Sequence, residues 1–517
     1  MSDNGLFIAG ERQRARAELE DRALRAASGL KALGVQPGEA VALMLRNDFA
    51  FFEGHFAATS MGAYTCTINW HLAAPEVAYV IEDSGTRVLI AHADLLNAVP
   101  EAVAAAEKSG VIILTVPTPD ECRVAYGLDG EQCAVPDGHP VWDDWLSAFE
   151  PLAELYDEVT ETMYYTSGTT GLPKGVRRYP QIREKAEAYG KMRDWIYGIE
   201  PGIRGLVAGP LYHSAPNAFS MRAAKQAERM VVMPRFSSEG FLKHVHEHKI
   251  TNAFMVPTMF VRILKLPEEV RAKYDMSSLK HIMIAAAPCP PDIKRAIIEW
   301  WGPVIHEFYG STELGYMTVC NSEETLERPG TVGRAVDGTT LKALDEDGNE
   351  VPVGTPGELY GRMELFADFT YHNRPDERVK VERDGLVTCG DVGYFDEDGY
   401  LFLCDRTREM VISGGVNIYP AEIEHELVGM PGVMDCAVFG IPDVEYGERL
   451  MAVIQPQAGT TETLTAEAVA TYLEGRLAGY KIPREIELRP DLPRDDAGKI
   501  YKRRLRDPYW ESQTRRI

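Results

Sequence analysis

The stretch Tyr165-Thr166-Ser167-Gly168-Thr169-Thr170-Gly171-Leu172-Pro173-Lys174-Gly175 packs hydroxyls, glycines and one lysine into eleven residues, directly behind the β-rich Met163-Tyr164-Tyr165. Glycines let a backbone turn sharply and approach a ligand closely, and successive amide N–H groups then form a nest for anions. With three threonines, a serine and a lysine added, the guest that fits this chemistry is a polyphosphate. The pattern is neither of the common phosphate motifs. A Walker A loop needs G-x-x-x-x-G-K-[ST], whereas Lys174 follows a proline and precedes a glycine, so no helix starts at the lysine. G-x-G-x-x-G is absent as well.

The loop sits inside a chain of 517 residues, too long for one hydrophobic core. The net charge of −24 opposes any general affinity for nucleic acid or anionic membrane, so an anionic ligand has to be held by local cations, amide dipoles and metal. Eight cysteines (66, 122, 133, 289, 320, 389, 404 and 436) include no C-x-x-C pair and read as small buried hydrophobes of a reducing compartment. The first residues lack a basic leader pattern, and no apolar run approaches eighteen residues. The expectation is a cytoplasmic protein with small-molecule partners, no nucleic acid and no stable membrane insertion; a homo-oligomer is left open.

Strand and helix patterns alternate through most of the chain. Glu18 to Leu33 has helical spacing and stops at Gly34; Ala40 to Leu45, Arg87 to Ala91 and Val111 to Val116 read as strands around a helical run from Phe49 to Met61. Beyond the loop, Gly205 to Gly209, Met230 to Met233, Ala253 to Val256 and His281 to Ala287 are short apolar runs of the kind found in buried parallel strands. From Pro329 the texture shifts to glycine-punctuated hairpins with Asp-Gly turns. Beyond Asp405 comes a compact α+β segment. The fold class expected is therefore α/β: a large N-terminal domain (1–404) of mixed and parallel sheets with helices and a small β-barrel-like part, and a small mobile α+β C-terminal domain (405–517).

Several further blocks bear on chemistry. In order they are Pro210-Leu211-Tyr212-His213-Ser214-Ala215-Pro216, Ala285-Ala286-Ala287-Pro288, Tyr309-Gly310-Ser311-Thr312-Glu313, Gly390-Asp391-Val392-Gly393-Tyr394, Asp405-Arg406-Thr407-Arg408, Ser413-Gly414-Gly415-Val416-Asn417 and Asp496-Ala497-Gly498-Lys499-Ile500. With the loop at 165–175, this series resembles the adenylate-forming superfamily, in its acyl- and aryl-CoA synthetase branch. The resemblance runs from about Glu18 to about Lys502. Family members carry about a helix's worth of sequence ahead of the segment that here reads Leu6-Phe7-Ile8.

The resemblance implies a role for each block. Thr166, Ser167, Gly168, Thr169, Thr170 and Lys174 would grip the β- and γ-phosphates of ATP. Ala285 and Ala286 stand where the family commonly has glycines against adenine, a departure from its pattern, and Ala285 also borders the acid. Tyr309 would lie against adenine, Thr312 would contact phosphate and Glu313 would hold Mg²⁺, a hard cation that needs only one or two protein carboxylates beside phosphate oxygens. Asp391 would accept the ribose hydroxyls, and Arg406 would reach ribose or phosphate oxygens. Arg408 would be the hinge about which the C-terminal domain swings. Gly414 and Gly415 would line the tunnel for the pantetheine arm of coenzyme A, and His213 would gate the carboxylate end of the acyl pocket. Lys499 would be the catalytic lysine, offsetting charge at the reacting centre.

The implied activity is an AMP-forming acid–CoA ligase with ATP, Mg²⁺ and coenzyme A, acting through an acyl-AMP. Between Trp195 and Phe308 the chain is rich in apolar and small residues (Phe219, Met255, Met259, Phe260), which points to a hydrophobic acid: fatty, steroid or bile-acid-like, or aryl. Two alternatives stay open: a free-standing adenylation enzyme that loads a carrier protein, and a nucleotide-binding relative without turnover.

Overall fold

The computed structural model describes residues 5–166, 173–287, 289–406, 409–413, 416–443, 446–460, 464–474, 476–494, 498 and 500–510. The apolar runs of the first half become the centres of two sheets. In the seven-stranded sheet, Met163–Thr166, Tyr64–Thr67, Ala40–Met44, Thr86–His92 and Ile112–Val116 run parallel, and Lys174–Arg178 and Phe369–Tyr371 close one edge antiparallel. In the nine-stranded sheet, Ile305–Ser311, His281–Ile284, Asn252–Met255, Arg204–Val207, Arg229–Val232 and Leu6–Ala9 run parallel. Antiparallel strands flank them: Gly315–Cys320 with Arg334–Ala335 on one side and Arg12–Ala15 on the other. The central strands are apolar on both faces because helices cover both; Ala40–Met44, for example, is buried at all five positions.

The region after Pro329 forms a five-stranded antiparallel sheet: Thr339–Leu344, Gly357–Met363, Leu386–Phe395, Glu382–Arg383 and Leu401–Arg406. Its last strand runs on to Arg406, two residues past the boundary expected after residue 404. The C-terminal domain has a sheet of its own, with Gly447–Pro456 antiparallel to Val433–Asp443 and parallel to Glu485–Leu488. It also has its own apolar clusters, around Val438, Ile454 and Leu473 on one face and Phe439 and Val453 on the other, separate from the large core of the N-terminal sheets. A separate core is what lets a unit move as a body.

One reading from sequence is refined. The run His281 to Ala287 is strand only to Ile284; Ala286 has a φ of +75°, outside the extended range of a non-glycine strand residue. Asp391 lies within the long strand Leu386–Phe395, and Gly390 takes a φ of +81° inside it. At the N-terminal end, Leu6–Ala9 and Arg12–Ala15 form a hairpin on the large sheet. Four residues per strand carry too little periodicity to be read in isolation.

Candidate active site

The loop at 165–175 joins two antiparallel strands, with Thr166 opposite Lys174 and Tyr165 opposite Gly175. Gly175 is required there: a Cβ would meet the Tyr165 ring at 2.9 Å. Ser167, Gly168, Thr169 and Thr170, the tip, lie outside the described residues. Lys174 Nζ pairs with Glu377 Oε2 at 2.7 Å and lies 5.3 Å from the centre of the Tyr371 ring. Hydrogen bonds from Lys174 and Lys380 hold the Glu377 carboxyl down to about 2.

Parallel strands deliver their C-terminal ends to one edge of a sheet, the usual position of ligands in α/β folds. His281–Ile284 and Ile305–Ser311 are parallel neighbours, so Ala285 and Ala286 emerge beside the segment from Tyr309 to Glu313. Ala285 is buried, whereas Ala286 is exposed. An alanine at φ +75° pays a steric cost of about 1–2 kcal/mol that glycine avoids, so the substitution of alanine for the family's glycine leaves a strained residue at the expected adenine position.

The Thr312-Glu313 turn connects Ile305–Ser311 to the antiparallel Gly315–Cys320. Ser311 Oγ accepts from the Glu313 and Leu314 amides at 3.2 and 3.1 Å, and a Cβ on Gly310 would collide with the Gly315 carbonyl. Thr312 Oγ1 donates to Ser214 Oγ at 3.4 Å, next to His213, whose ring is 4.3 Å from that of Tyr212. The other sheet completes the arrangement. Arg178 is buried and donates to the carbonyls of Thr312 and Glu313, the latter at 2.7 Å, and to that of Ala367 at 2.5 Å. Burial pulls its guanidinium down to about 10, and the Tyr189 phenol and nearby carboxylates oppose that shift. Tyr371 Oη donates to Glu313 Oε1 at 3.2 Å. Glu313 is thus fixed through its backbone and through its side chain by residues of the loop's own sheet.

Tyr309 is buried, and its hydroxyl donates to Asp391 Oδ2 at 2.9 Å; the Cys389 thiol donates to the same oxygen at 3.0 Å. Burial pushes the Tyr309 hydroxyl well above its usual value and the adjacent Cys389 and Asp391 add to that, so it remains a donor near neutral pH. Across the antiparallel pair, Asp391 sits directly opposite Arg406. Two residues fifteen apart in sequence become neighbours by register alone.

Arg408, Gly414, Gly415 and Lys499 lie outside the described residues. Gly498, the neighbour of Lys499, is buried with a φ of +86°, and a Cβ there would come within 2.5 Å of Thr258 Oγ1 in the N-terminal domain. Gly498 is therefore packed against the large domain. Sequence reasoning missed Arg178, Cys389, Tyr371 and Glu377. None of the four falls within a motif that its own neighbours spell out, and only tertiary contacts with Glu313, Asp391 and Lys174 bring them to the site.

The strands flanking the loop at 165–175, the Thr312-Glu313 turn fastened to their sheet and the Tyr309–Asp391 pair that bridges the nine-stranded and five-stranded sheets thus gather three separate sequence motifs in one region. The family model for the AMP-binding enzyme matches residues 4–366, and that for the AMP-binding enzyme C-terminal domain matches 422–499. The chain belongs to the AMP-binding enzyme family, in the acyl- and aryl-CoA synthetase branch of the adenylate-forming superfamily, a class of AMP-forming acid–CoA ligases. It is 33% identical over 498 residues to feruloyl-CoA synthase of an Amycolatopsis species, covering 95% of this chain and 93% of that protein. To the fatty acid–[acyl-carrier-protein] ligase ScoC of Streptomyces coeruleorubidus it is 32% identical over 519 residues, covering 97% and 92%. Among solved structures, ATP-bound MatB from Rhodopseudomonas palustris superposes with a TM-score of 0.82 at 26% identity, covering 99% of this chain and 97% of that one.

Proposed function

We propose that this protein condenses an apolar carboxylic acid with ATP to an acyl-AMP and then transfers the acyl group to the thiol of coenzyme A. The observation that carries the reading is the linkage of Glu313, Tyr371 and Lys174, which ties the carboxylate expected at the metal to the phosphate loop. In the first step a carboxylate oxygen attacks the α-phosphorus and pyrophosphate leaves. Both reactants are anions, so positioning and cation placement supply most of the acceleration. Asp391 accepts the ribose hydroxyls, Tyr309 packs on the adenine, Thr166 and the loop's hydroxyls hold the outer phosphates, and Lys499 offsets charge at the reacting centre.

The donor chemistry fits Mg²⁺. Among the described residues no group of three or more His, Cys, Asp or Glu side chains gathers as a metal cage. A cation held by Glu313 beside Thr312 would take its remaining oxygens from phosphate and water, as Mg²⁺ does, and would neutralise phosphate charge. In the second step the thiol attacks the acyl carbonyl and AMP leaves.

The acceptor is read as coenzyme A from the C-terminal domain. A cavity of about 210 Å³ lies beside Ser413, lined by Tyr446, Arg449, Tyr480 and Arg484. Tyr446 and Tyr480 are partly exposed, and the Arg484 guanidinium lies 5.2 Å from the centre of the Tyr446 ring. Aromatic faces beside guanidinium groups suit a purine and its phosphates. Likeness to ScoC supports a second acceptor, the thiol of a carrier protein.

The test measures pyrophosphate release across fatty, bile and hydroxycinnamic acids, with coenzyme A or a carrier protein. Acid-dependent release with formation of an acyl-CoA is expected, along with a raised KM for coenzyme A in Arg484→Glu. Thioester on the carrier alone would assign the second acceptor, and acid-independent binding of ATP without release would overturn both.

A further inference from the structure

The helix Pro257–Leu264 leaves the end of the strand Asn252–Met255 and touches the C-terminal domain at both of its ends. At its first turn, Thr258 Oγ1 lies where a side chain at Gly498 would have to go. Just past its last residue, Lys265 Nζ donates to the carbonyls of Val433 at 3.1 Å and Met434 at 2.8 Å, at the start of the strand Val433–Asp443. Met434 Sδ is 3.5 Å away. The next residue, Asp435, pairs with Arg494 at 2.5 Å, and Arg494 Nη1 also donates to the Gly498 carbonyl at 3.4 Å. Lys265 is thus connected to the residue that precedes Lys499 through the chain Met434–Asp435–Arg494–Gly498.

We propose that Lys265 is a latch that fastens the C-terminal domain in the orientation seen here, and thereby a positioning residue for Lys499 in acyl-AMP formation. The inference rests on the two-step reaction proposed above. A single contact between two domains leaves a pivot. Two contacts seven residues apart on one helix, a separation of roughly 10 Å, remove it. The bond is specific to this orientation: Lys265 belongs to the N-terminal domain and its acceptors to the C-terminal one, so any swing about the hinge breaks both hydrogen bonds. An interaction made in only one of two states shifts the population toward that state by its full strength. Because the acceptors are main-chain carbonyls, the latch asks for a long cationic donor at 265 and nothing particular at 433 and 434. The helix also carries Met259, buried in the same main core as Met255, so the element that holds the latch belongs to the wall expected for the acyl pocket.

The test compares wild type with Lys265→Met, which keeps the apolar stem without the donors, and Lys265→Arg, which can still donate to both carbonyls. Spin labels on ketone-bearing residues introduced at the exposed positions 273 and 467 report the distance between the domains and leave the cysteines untouched. Pyrophosphate–ATP exchange with ferulate or a fatty acid reads the first half-reaction; thioester formation from synthetic acyl-AMP and coenzyme A reads the second. Lys265→Met is expected to lose the single narrow distance population and slow exchange about tenfold. It should leave the second half-reaction unchanged or faster, at an unchanged thermal midpoint, and Lys265→Arg should restore wild-type behaviour. An unchanged distance distribution, or equal slowing of both half-reactions, would overturn the latch. If wild type shows no acid-dependent exchange, the proposed function fails, while the distance measurement still decides the latch.

Discussion

Tyr371 donates its hydroxyl to Glu313 Oε1 at 3.2 Å across the boundary between the two large sheets. The same ring lies under the Lys174 ammonium. Tyr371 therefore joins the two parts of the site that have to meet one triphosphate, and neither part needs the other to be near it in sequence.

Removing that hydroxyl with Tyr371→Phe leaves the ring under Lys174 and frees one oxygen of Glu313. A hydrogen bond to a charged group contributes about 1.5–3 kcal/mol. The concentration of Mg²⁺ giving half-maximal pyrophosphate release should rise roughly tenfold, at unchanged thermal stability. An unaltered Mg²⁺ titration would separate Tyr371 from the metal.

Arg178→Lys keeps a positive charge and loses the planar fork that spans the Ala367, Thr312 and Glu313 carbonyls. Buried carbonyls left without donors cost about 1–3 kcal/mol each. Chemical denaturation should show a loss of about 2 kcal/mol or more, together with a lower rate of acyl-AMP formation. Full activity in a destabilised protein would confine Arg178 to a scaffold role.

Tyr309→Phe and Asp391→Asn separate the halves of the nucleotide grip. The phenylalanine retains the ring and removes one donor to Asp391 Oδ2, so the KM for ATP should rise only several-fold, in keeping with a net cost of about 1 kcal/mol. Asp391→Asn removes the charged acceptor expected at the ribose and should raise the KM by roughly 10–100-fold. The order of the two effects, measured in one steady-state series, is the check.

Ala286→Gly relieves an alanine held at φ +75°. The variant should be more stable by about 1 kcal/mol in urea denaturation, since glycine takes this conformation without the steric penalty. A loss of stability would mean that the methyl group packs usefully.

Glu377→Gln tests the pair with Lys174 through its pH dependence. The native carboxyl is depressed to about 2, below its unfolded value of 4.5, so the folded state binds fewer protons than the unfolded one between those values. The pair's stabilising effect is complete above pH 4.5 and is lost as the pH falls toward 2. The stability gap between wild type and variant should therefore be constant from pH 7 to 5 and narrow below 4.5. A gap that widens on acidification would refute the assignment.

Much of this architecture was legible in the chain. Ala40–Met44 and Thr86–His92 could be read because a buried strand has to be apolar along its length or on one face. Tyr309 to Glu313 and the loop at 165–175 could be read because close approach to phosphate demands glycines and hydroxyls in a fixed order, which few other needs produce. The hairpin Leu6–Ala9 with Arg12–Ala15 and the strand Phe369–Tyr371 could not, because short strands gain their stability from the neighbours they pair with.

By itself, then, the sequence determined the phosphate loop, the succession of motifs and the class of chemistry, since local backbone requirements and donor types are properties of contiguous residues. Tertiary structure decided which residues hold those motifs in place. Arg178 grips the Glu313 turn, Tyr371 reaches its carboxylate, Asp391 faces Arg406 and Lys265 reaches the C-terminal domain. Those contacts depend on sheet order and register across separations of fifteen to more than a hundred residues, and a pattern in the linear chain carries no record of which strand will lie beside which.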